Sequence, residues 1–233
     1  MWYLGSKSRL SKDLAPIIQS YITEDMKGYI EPFVGGANMI DKIDCPVRIG
    51  YDIHPQLIAL LQKAKTDVDS IPDNITEEEY KRVKDNKDDY PDWYVGLVGF
   101  CASFGAKYFS GYARSSKSGK VSDNIRALKK QAPKLSEIDF FCDDYKNVLV
   151  DRCVIYCDPP YKNTEGYSSK FDHEEFYDWV RMTSRTNTVL VSEYNMPDDF
   201  TCIFEKEHTV TLYSLRESGS KRTEKLFIYE GAA

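Results

Sequence analysis

A mostly parallel α/β sheet, interrupted by a helical insertion and closed by an antiparallel hairpin, is predicted by three observations. Strand and helix signals alternate from residue 29 to 65 and again from 138 to 195. Between them, residues 66–135 carry only helical or irregular patterns. The last two strand signals, 202–213 and 225–230, have no helix between them, which predicts antiparallel pairing. The expected organisation is one domain of residues 1–65 and 136–233, with residues 66–135 inserted as a mainly helical subdomain.

The elements follow in order. Residues 7–22 place Leu10, Leu14, Ile17, Ile18 and Tyr21 at helical spacing, with Pro16 the one blemish. YIEPF (29–33) is a short strand broken by Gly35-Gly36, and a short helix is expected over 37–43. VRIGYD (47–52) is a second strand, and 54–65 a helix with Pro55 in its first turn. His54 is expected at an exposed helix start. After the insertion come strands IDFFC (138–142) and CVIYC (153–157), a helix over 171–185, and the strand NTVLVSEYN (187–195). In that helix Phe176 and Trp179 share a core face, and His173 with Glu174 and Glu175 makes a first turn rather than a metal site. Residues 214–224 are polar with glycine and serine, and a loop is expected.

Composition narrows the classes. The six cysteines form no C-x-x-C pair and the three histidines are dispersed, so no metal is expected. The first twenty residues have no apolar core, no stretch approaches about 18 apolar residues, and neither a leader nor a membrane partner is expected. A reduced, cytoplasmic protein is the expectation. Net charge is −6, but Lys107–Lys134 holds eight basic residues against one acid, whereas 67–92 holds ten acids against four bases. Such asymmetry suits a face for a polyanion, although on charge alone a solvated basic helix fits equally well.

Two stretches carry the chemistry. EPFVGGAN (31–38) is a Gly-rich turn between a strand and a helix, and lets a ligand approach the backbone closely. It is not G-x-G-x-x-G, so the dinucleotide fingerprint is absent. Asp52 closes the next strand, where a carboxylate can take both hydroxyls of a ribose. Together they suit a nucleoside-type ligand without the usual pyrophosphate turn, a description that S-adenosylmethionine fits. The second stretch is Asp158-Pro159-Pro160-Tyr161, at the carboxyl end of a strand, where α/β sheets bind ligands. An exocyclic amine on a base is a poor nucleophile because its lone pair is delocalised. The Asp158 carboxylate and the Pro159 carbonyl can accept its two N–H bonds and free that lone pair. Pro160 fixes the turn, and Tyr161 can stack on the base. The residues alone lead to methyl transfer to a planar amine.

The motif order resembles the Dam-like DNA adenine-N6 methyltransferases, a cytosolic class of bacteria and phages. Tyr3-Leu4-Gly5-Ser6-Lys7 is similar to the family's opening, whose aromatic and lysine contact the cofactor. Glu31-Pro32-Phe33-Val34-Gly35-Gly36 is similar to its cofactor turn, and Tyr51-Asp52-Ile53 to its ribose motif. Phe141 to Tyr145 resembles the strand whose acidic end, here Asp143, lies near the cofactor adenine. Asp158 to Tyr161 matches the catalytic motif, with Val191–Asn195 and Glu224–Phe227 similar to later sheet motifs. The resemblance implies a Rossmann-like class I methyltransferase sheet with an antiparallel last strand. It implies Tyr3, Lys7, Glu31, Phe33, Gly35, Gly36, Asp52, Asp143 and Asp158 as S-adenosylmethionine contacts, direct methyl transfer and no metal. Double-stranded DNA is the expected partner, met by a monomer with 66–135 as the target-recognition segment.

The insertion departs from the family's usual N-R-x-G-x-F-N-x-P-F-G stretch. It has instead Ser103-Phe104-Gly105-Ala106-Lys107-Tyr108-Phe109-Ser110-Gly111-Tyr112-Ala113-Arg114. The base-reading residues therefore do not carry over, and the target site stays open. By chemistry, Arg114 suits a guanine edge, Lys107, Lys117 and Lys120 suit phosphates, and Tyr108 or Tyr112 can stack or wedge. A Gly-rich loop with Phe104 and Phe109 as core is the competing reading. Methylation of another planar amine, in RNA adenine or a protein glutamine, and an inactive DNA-binding relative are the competing functions.

Overall fold

The first strand, β1 (Gly28–Glu31), ends where Pro32 removes the next ladder N–H. The computed structural model describes residues 1–114, 121–161, 171–209 and 221–231. A 3₁₀ turn, Lys7–Arg9, capped by the Ser6 hydroxyl, precedes helix α1 (Ser11–Ser20), so the first helix is shorter than its apolar spacing suggests. Pro16 is tolerated inside α1 because it is exposed, and water can satisfy the carbonyl it leaves unpaired. Residues 37–43 hold turns and a 3₁₀ segment, Ile40–Lys42, in place of the expected helix. Then come β2 (Arg48–Asp52) and α2 (Pro55–Thr66).

The segment from 66 to 135 is helical, with α3 (Glu77–Asp85), α4 (Asp92–Gly96) running into a π-helical turn at Leu97–Cys101, and α5 (Val121–Gln131). The alternation resumes with β3 (Ile138–Cys142), β4 (Cys153–Cys157), α6 (His173–Thr183) and β5 (Thr188–Glu193). It closes with β6 (Thr201–Thr209) and β7 (Lys221–Ile228). The seven strands order as β3-β2-β1-β4-β5-β7-β6. Strands β1 to β5 pair in parallel with one another, and β7 runs antiparallel to β5 and β6. This is a Rossmann-like sheet, mostly parallel with an antiparallel last strand, as the resemblance implies.

Strand alternation sorts the core into two layers. Tyr29, Val154, Tyr156 and Leu190 face one side and pack with α1 and α2. Ile30, Ile155, Cys157, Val189 and Val191 face the other and pack with Phe176, Tyr177 and Val180 of α6. Residues of the 66–135 segment, among them Ile75, Tyr80, Val98, Ile125 and Leu128, belong to the same apolar cluster as α1 and α2.

One strand differs in a way that matters for the site. β7 begins at Lys221, inside the stretch 214–224 expected to be a loop, because its polar first half pairs with β6 from Lys221↔Thr209 to Glu224↔Lys206. Residues 210–220, the end of the expected strand 202–213 and most of that loop, lie outside the described residues.

Candidate active site

Parallel strands deliver their carboxyl ends to one edge of the sheet, and the acidic residues collect there. Glu31 closes β1, Asp52 closes β2, Asp143 follows β3 and Asp158 follows β4. Because β7 is antiparallel, its early residue Glu224 arrives at the same edge, beside the Ser192–Leu226 and Glu193–Lys225 pairs with β5.

At the first turn, Gly35 sits at φ +49° and its N–H donates to Asp52 Oδ2 at 3.2 Å. The other Asp52 oxygen accepts from the His54 N–H at 3.0 Å. Tyr3 lies over this turn so closely that a Cβ on Gly35 would stand 2.9 Å from its ring, and one on Gly36 would stand 2.8 Å from its Cβ. The sequence had no sign of what holds the turn from behind. That residue is Gln131 of α5, which is buried and donates to the carbonyls of Gly36 at 3.2 Å and Ala37 at 2.7 Å.

Lys7 reaches across to the end of β4, with its Nζ 2.9 Å from Asp158 Oδ1 and 3.5 Å from Glu224 Oε1. The same ammonium stands 4.5 Å over the Tyr161 ring, whose hydroxyl donates to Glu224. Tyr194 meets the Tyr161 ring edge-on with centroids 4.6 Å apart. Asp158 keeps 21% side-chain exposure, against 3% for Glu224, so it is the carboxylate that an incoming group can reach. Burial pushes the Asp158 carboxyl above the usual range, against the pull of Lys7. Burial would lower the Lys7 ammonium, but Asp158 and then Glu224 outweigh it and hold it charged. Glu31 is buried and accepts the Tyr29 hydroxyl at 2.7 Å. Burial, with Asp158 nearby, drives its carboxyl well above the ordinary value.

This arrangement fits a cationic ligand. Asp158 and Glu224 meet one ammonium, Lys7, and the buried Glu31 lies near Asp158. An entering positive group would favour the ionised forms of Glu31 and Asp158, which burial otherwise disfavours. A ligand carrying both a sulfonium or ammonium and a ribose would engage this cluster and Asp52 together.

The remaining predicted residues are placed as follows. Phe33 is half-buried in an aromatic cluster with Tyr145, Phe171 and Phe176, at centroid distances of 5.3, 5.9 and 5.7 Å. The Asp143 carboxylate is exposed and accepts from Asn147 and from the Asp144 N–H. Pro159 is buried and Pro160 half-buried beside Asp158. His54 is not an exposed helix start. It precedes α2 half-buried, with its ring 5.0 Å from Phe100 and 4.4 Å from Tyr108.

In the insertion, Lys107 is exposed, whereas Lys117 and Lys120 lie outside the described residues. Tyr108 packs against Phe100 and Phe109, and Tyr112 donates to the Ile75 carbonyl at 2.8 Å. Phe109 is core, but Phe104 is 44% exposed, in contrast to the reading that buries both. The acidic and basic runs are not segregated. Arg114 forks onto Glu77, and Lys129 meets Asp73 at 2.6 Å.

Comparison with known proteins adds the following. The profile of the D12 class N6 adenine-specific DNA methyltransferases matches residues 3–94 and 93–193. No curated protein matches the chain by sequence. Among solved structures, a candidate RNA methyltransferase from Pyrococcus horikoshii aligns at 7% identity and TM-score 0.47, covering 96% of this chain and 84% of its own. The 23S rRNA methyltransferase ErmE aligns at 10% identity and TM-score 0.43, with coverages of 94% and 68%. A candidate methyltransferase from Escherichia coli aligns at 11% identity and TM-score 0.37, with coverages of 97% and 85%.

Proposed function

The chain belongs to the D12 class N6 adenine-specific DNA methyltransferase family, and from that premise we propose that it methylates N6 of an adenine flipped out of duplex DNA. The observation that carries this reading is the Asp158–Tyr161 turn at the mouth of β4, with Asp158 held by Lys7 and facing the buried Glu31 cluster. S-adenosylmethionine, when bound, supplies an electrophilic methyl group on a sulfonium. Glu31 and Asp158 favour that positive charge, Asp52 takes the ribose hydroxyls, and Gly35 and Gly36 bring bare backbone beneath Tyr3. Phe33 and Asp143 stand on the rim of the same edge.

The rest of the chemistry is positioning and electrostatics. The amine donates one N–H to the Asp158 carboxylate and the other to the Pro159 carbonyl, which turns its lone pair out of the ring plane. Tyr161 supports the base from below. Asp158 also stands ready to take the proton that the amine gives up as the new N–C bond forms. No metal takes part.

Residues 66–135 read the target in this proposal, with the protein acting as a monomer. Lys107, Lys117 and Lys120 take phosphates, and Arg114 exchanges Glu77 for a base edge. The packing of Tyr108 and Tyr112 favours the exposed Phe104 ring as the wedge.

The test is incubation with methyl-labelled S-adenosylmethionine and unmethylated duplex DNA, RNA or protein. N6-methyladenine in the DNA is expected, and label confined to RNA or protein rejects the reading. Lys107→Ala and Lys117→Ala should each lower the slope of log affinity against log salt by about 1. An unchanged slope removes that lysine from the phosphate contacts.

A pH dependence follows from Asp52. Burial, opposed by the N–H bonds from His54, Gly35 and Ile53, raises its carboxyl to about 6. Hydroxyl recognition needs the ionised form, so KM for the methyl donor should rise as pH falls through 6, by about tenfold per pH unit at the limit. Stability moves the other way. The folded state binds this proton more tightly than the unfolded chain does, so burial of the charge destabilises the fold above pH 6 and that cost disappears as pH falls toward 4. A KM that is flat between pH 5 and 7, with Asp52→Asn no different, would exclude Asp52 from the ribose site.

A further inference from the structure

Lys7 lies between two carboxylates, and only one of them is open to an incoming group. Its ammonium is 2.9 Å from Asp158 and 3.5 Å from Glu224, so a movement of well under 1 Å would exchange the nearer partner for the other. Glu224 is 3% exposed and fixed by the Tyr161 hydroxyl, while Lys7 also rests over the Tyr161 ring. An Asp158 oxygen bound to an ammonium is a weaker acceptor for a second N–H, because its charge is already shared. The amine clamp therefore works best when Lys7 has somewhere else to go.

We propose that Glu224 is a positioning residue which receives Lys7 when the acceptor amine arrives, releasing Asp158 to bind that amine while holding Tyr161 in place. This deepens the methyltransferase reading and rests on it. Lys7 moves from Asp158 to Glu224 without a proton changing hands. The buried ammonium stays paired throughout, so the exchange avoids the large cost of leaving a desolvated charge alone. Glu224 also ties β7 to the turn after β4, which explains why a carboxylate is buried at this edge. The groups facing Asp158 are Lys7 from the N-terminal turn, Glu224 from β7, Tyr161, Tyr156 and Cys157 from β4 and its turn, and Glu31 from β1.

Two substitutions separate the parts of this role. Glu224→Gln keeps an oxygen for the Tyr161 hydroxyl but loses the charge that attracts Lys7. Its kcat should fall at least tenfold, with KM for the methyl donor within about threefold of wild type. Tyr161→Phe keeps both carboxylates and removes the hydroxyl's hydrogen bonds to Glu224 and Asp158, so the Lys7 exchange survives in it and kcat should fall less than in Glu224→Gln. The double variant Lys7→Met with Glu224→Gln should lose no more than the worse single variant, since both interrupt the same exchange.

A second measurement needs no acceptor. The Asp158 carboxyl, followed by carbon NMR through a pH titration, should titrate lower by roughly 1 pH unit in Glu224→Gln, because a neighbouring negative charge is gone. An unshifted titration, wild-type kcat in Glu224→Gln, or additive losses in the double variant would overturn the proposal. If Glu224→Gln shifts the carboxyl titration as expected but wild type labels no DNA, the substrate reading fails while the Lys7–Asp158–Glu224 coupling stands.

Discussion

Replacing Asp158 by alanine is expected to lower kcat about 10³-fold, with affinity for duplex DNA within about threefold of wild type. The reason lies in what the side chain can touch. Asp158 is the carboxylate of the cluster that remains open, at 21% side-chain exposure, whereas Glu31 and Glu224 are closed off. Removing it takes away one of the two acceptors that turn the amine lone pair out of conjugation, and the nearest base as well. The fold should survive the change. Lys7 keeps Glu224 at 3.5 Å and the Tyr161 ring below it, so the buried ammonium does not become an orphan charge. Asp158→Asn should fall between, at about 10²-fold, since the amide oxygen still accepts one N–H but carries no charge. Single-turnover rates with pre-bound donor and DNA separate the chemical step from binding. A kcat within tenfold of wild type for Asp158→Ala would refute the clamp.

How far the sequence reveals this site depends on the distance along the chain over which each contact is made. The strands at 138–142 and 153–157 are found at their predicted bounds, because a short apolar run stopped by acids or prolines has few other readings. The Gly turn, Asp52 and Asp158 are equally visible, since each stands at the end of a strand and a parallel sheet brings strand ends to one edge. Glu224 is not visible in this way. Its partners are Tyr161 and Lys7, 63 and 217 residues away, and its strand starts with a polar KRTEK that alternation cannot tell from a loop. Gln131 escapes for the same reason. It lies on the buried face of an amphipathic helix, and periodicity says that it is inside, not that it donates to the Gly36 and Ala37 carbonyls. Charge runs mislead more seriously. A count along the chain sets ten acids apart from eight bases, whereas folding pairs Arg114 with Glu77 and Lys129 with Asp73.

Gly96→Ala should destabilise the whole chain by about 3 kcal/mol, a fall in Tm of roughly 6–12 °C. Gly96 ends α4 where it crosses the first turn of α2, and an added Cβ would lie 2.0 Å from the Gln56 carbonyl oxygen and 3.3 Å from Leu60 Cβ. The obstacle is backbone, so no rotamer change relieves it, and the helices must separate. That separation loosens Leu60, Leu61, Val95 and Leu97, all buried in the cluster that joins α1, α2 and the 66–135 segment. It also disturbs the site, because α2 starts directly after His54, whose N–H holds Asp52. KM for the methyl donor should therefore rise with the loss of stability. Gly105→Ala is the control. Gly105 has φ +63° and open space around its Cβ position, so alanine there meets no neighbour and adds only the strain of a left-handed L residue, about 1 kcal/mol. Thermal unfolding of both variants decides the matter. A Gly96→Ala cost no greater than that of Gly105→Ala would mean the two helices do not touch. A cooperative transition shifted as a whole in Gly96→Ala would show that the 66–135 segment folds as part of the sheet's own core, so that changes in it reach the methyl-donor edge through packing.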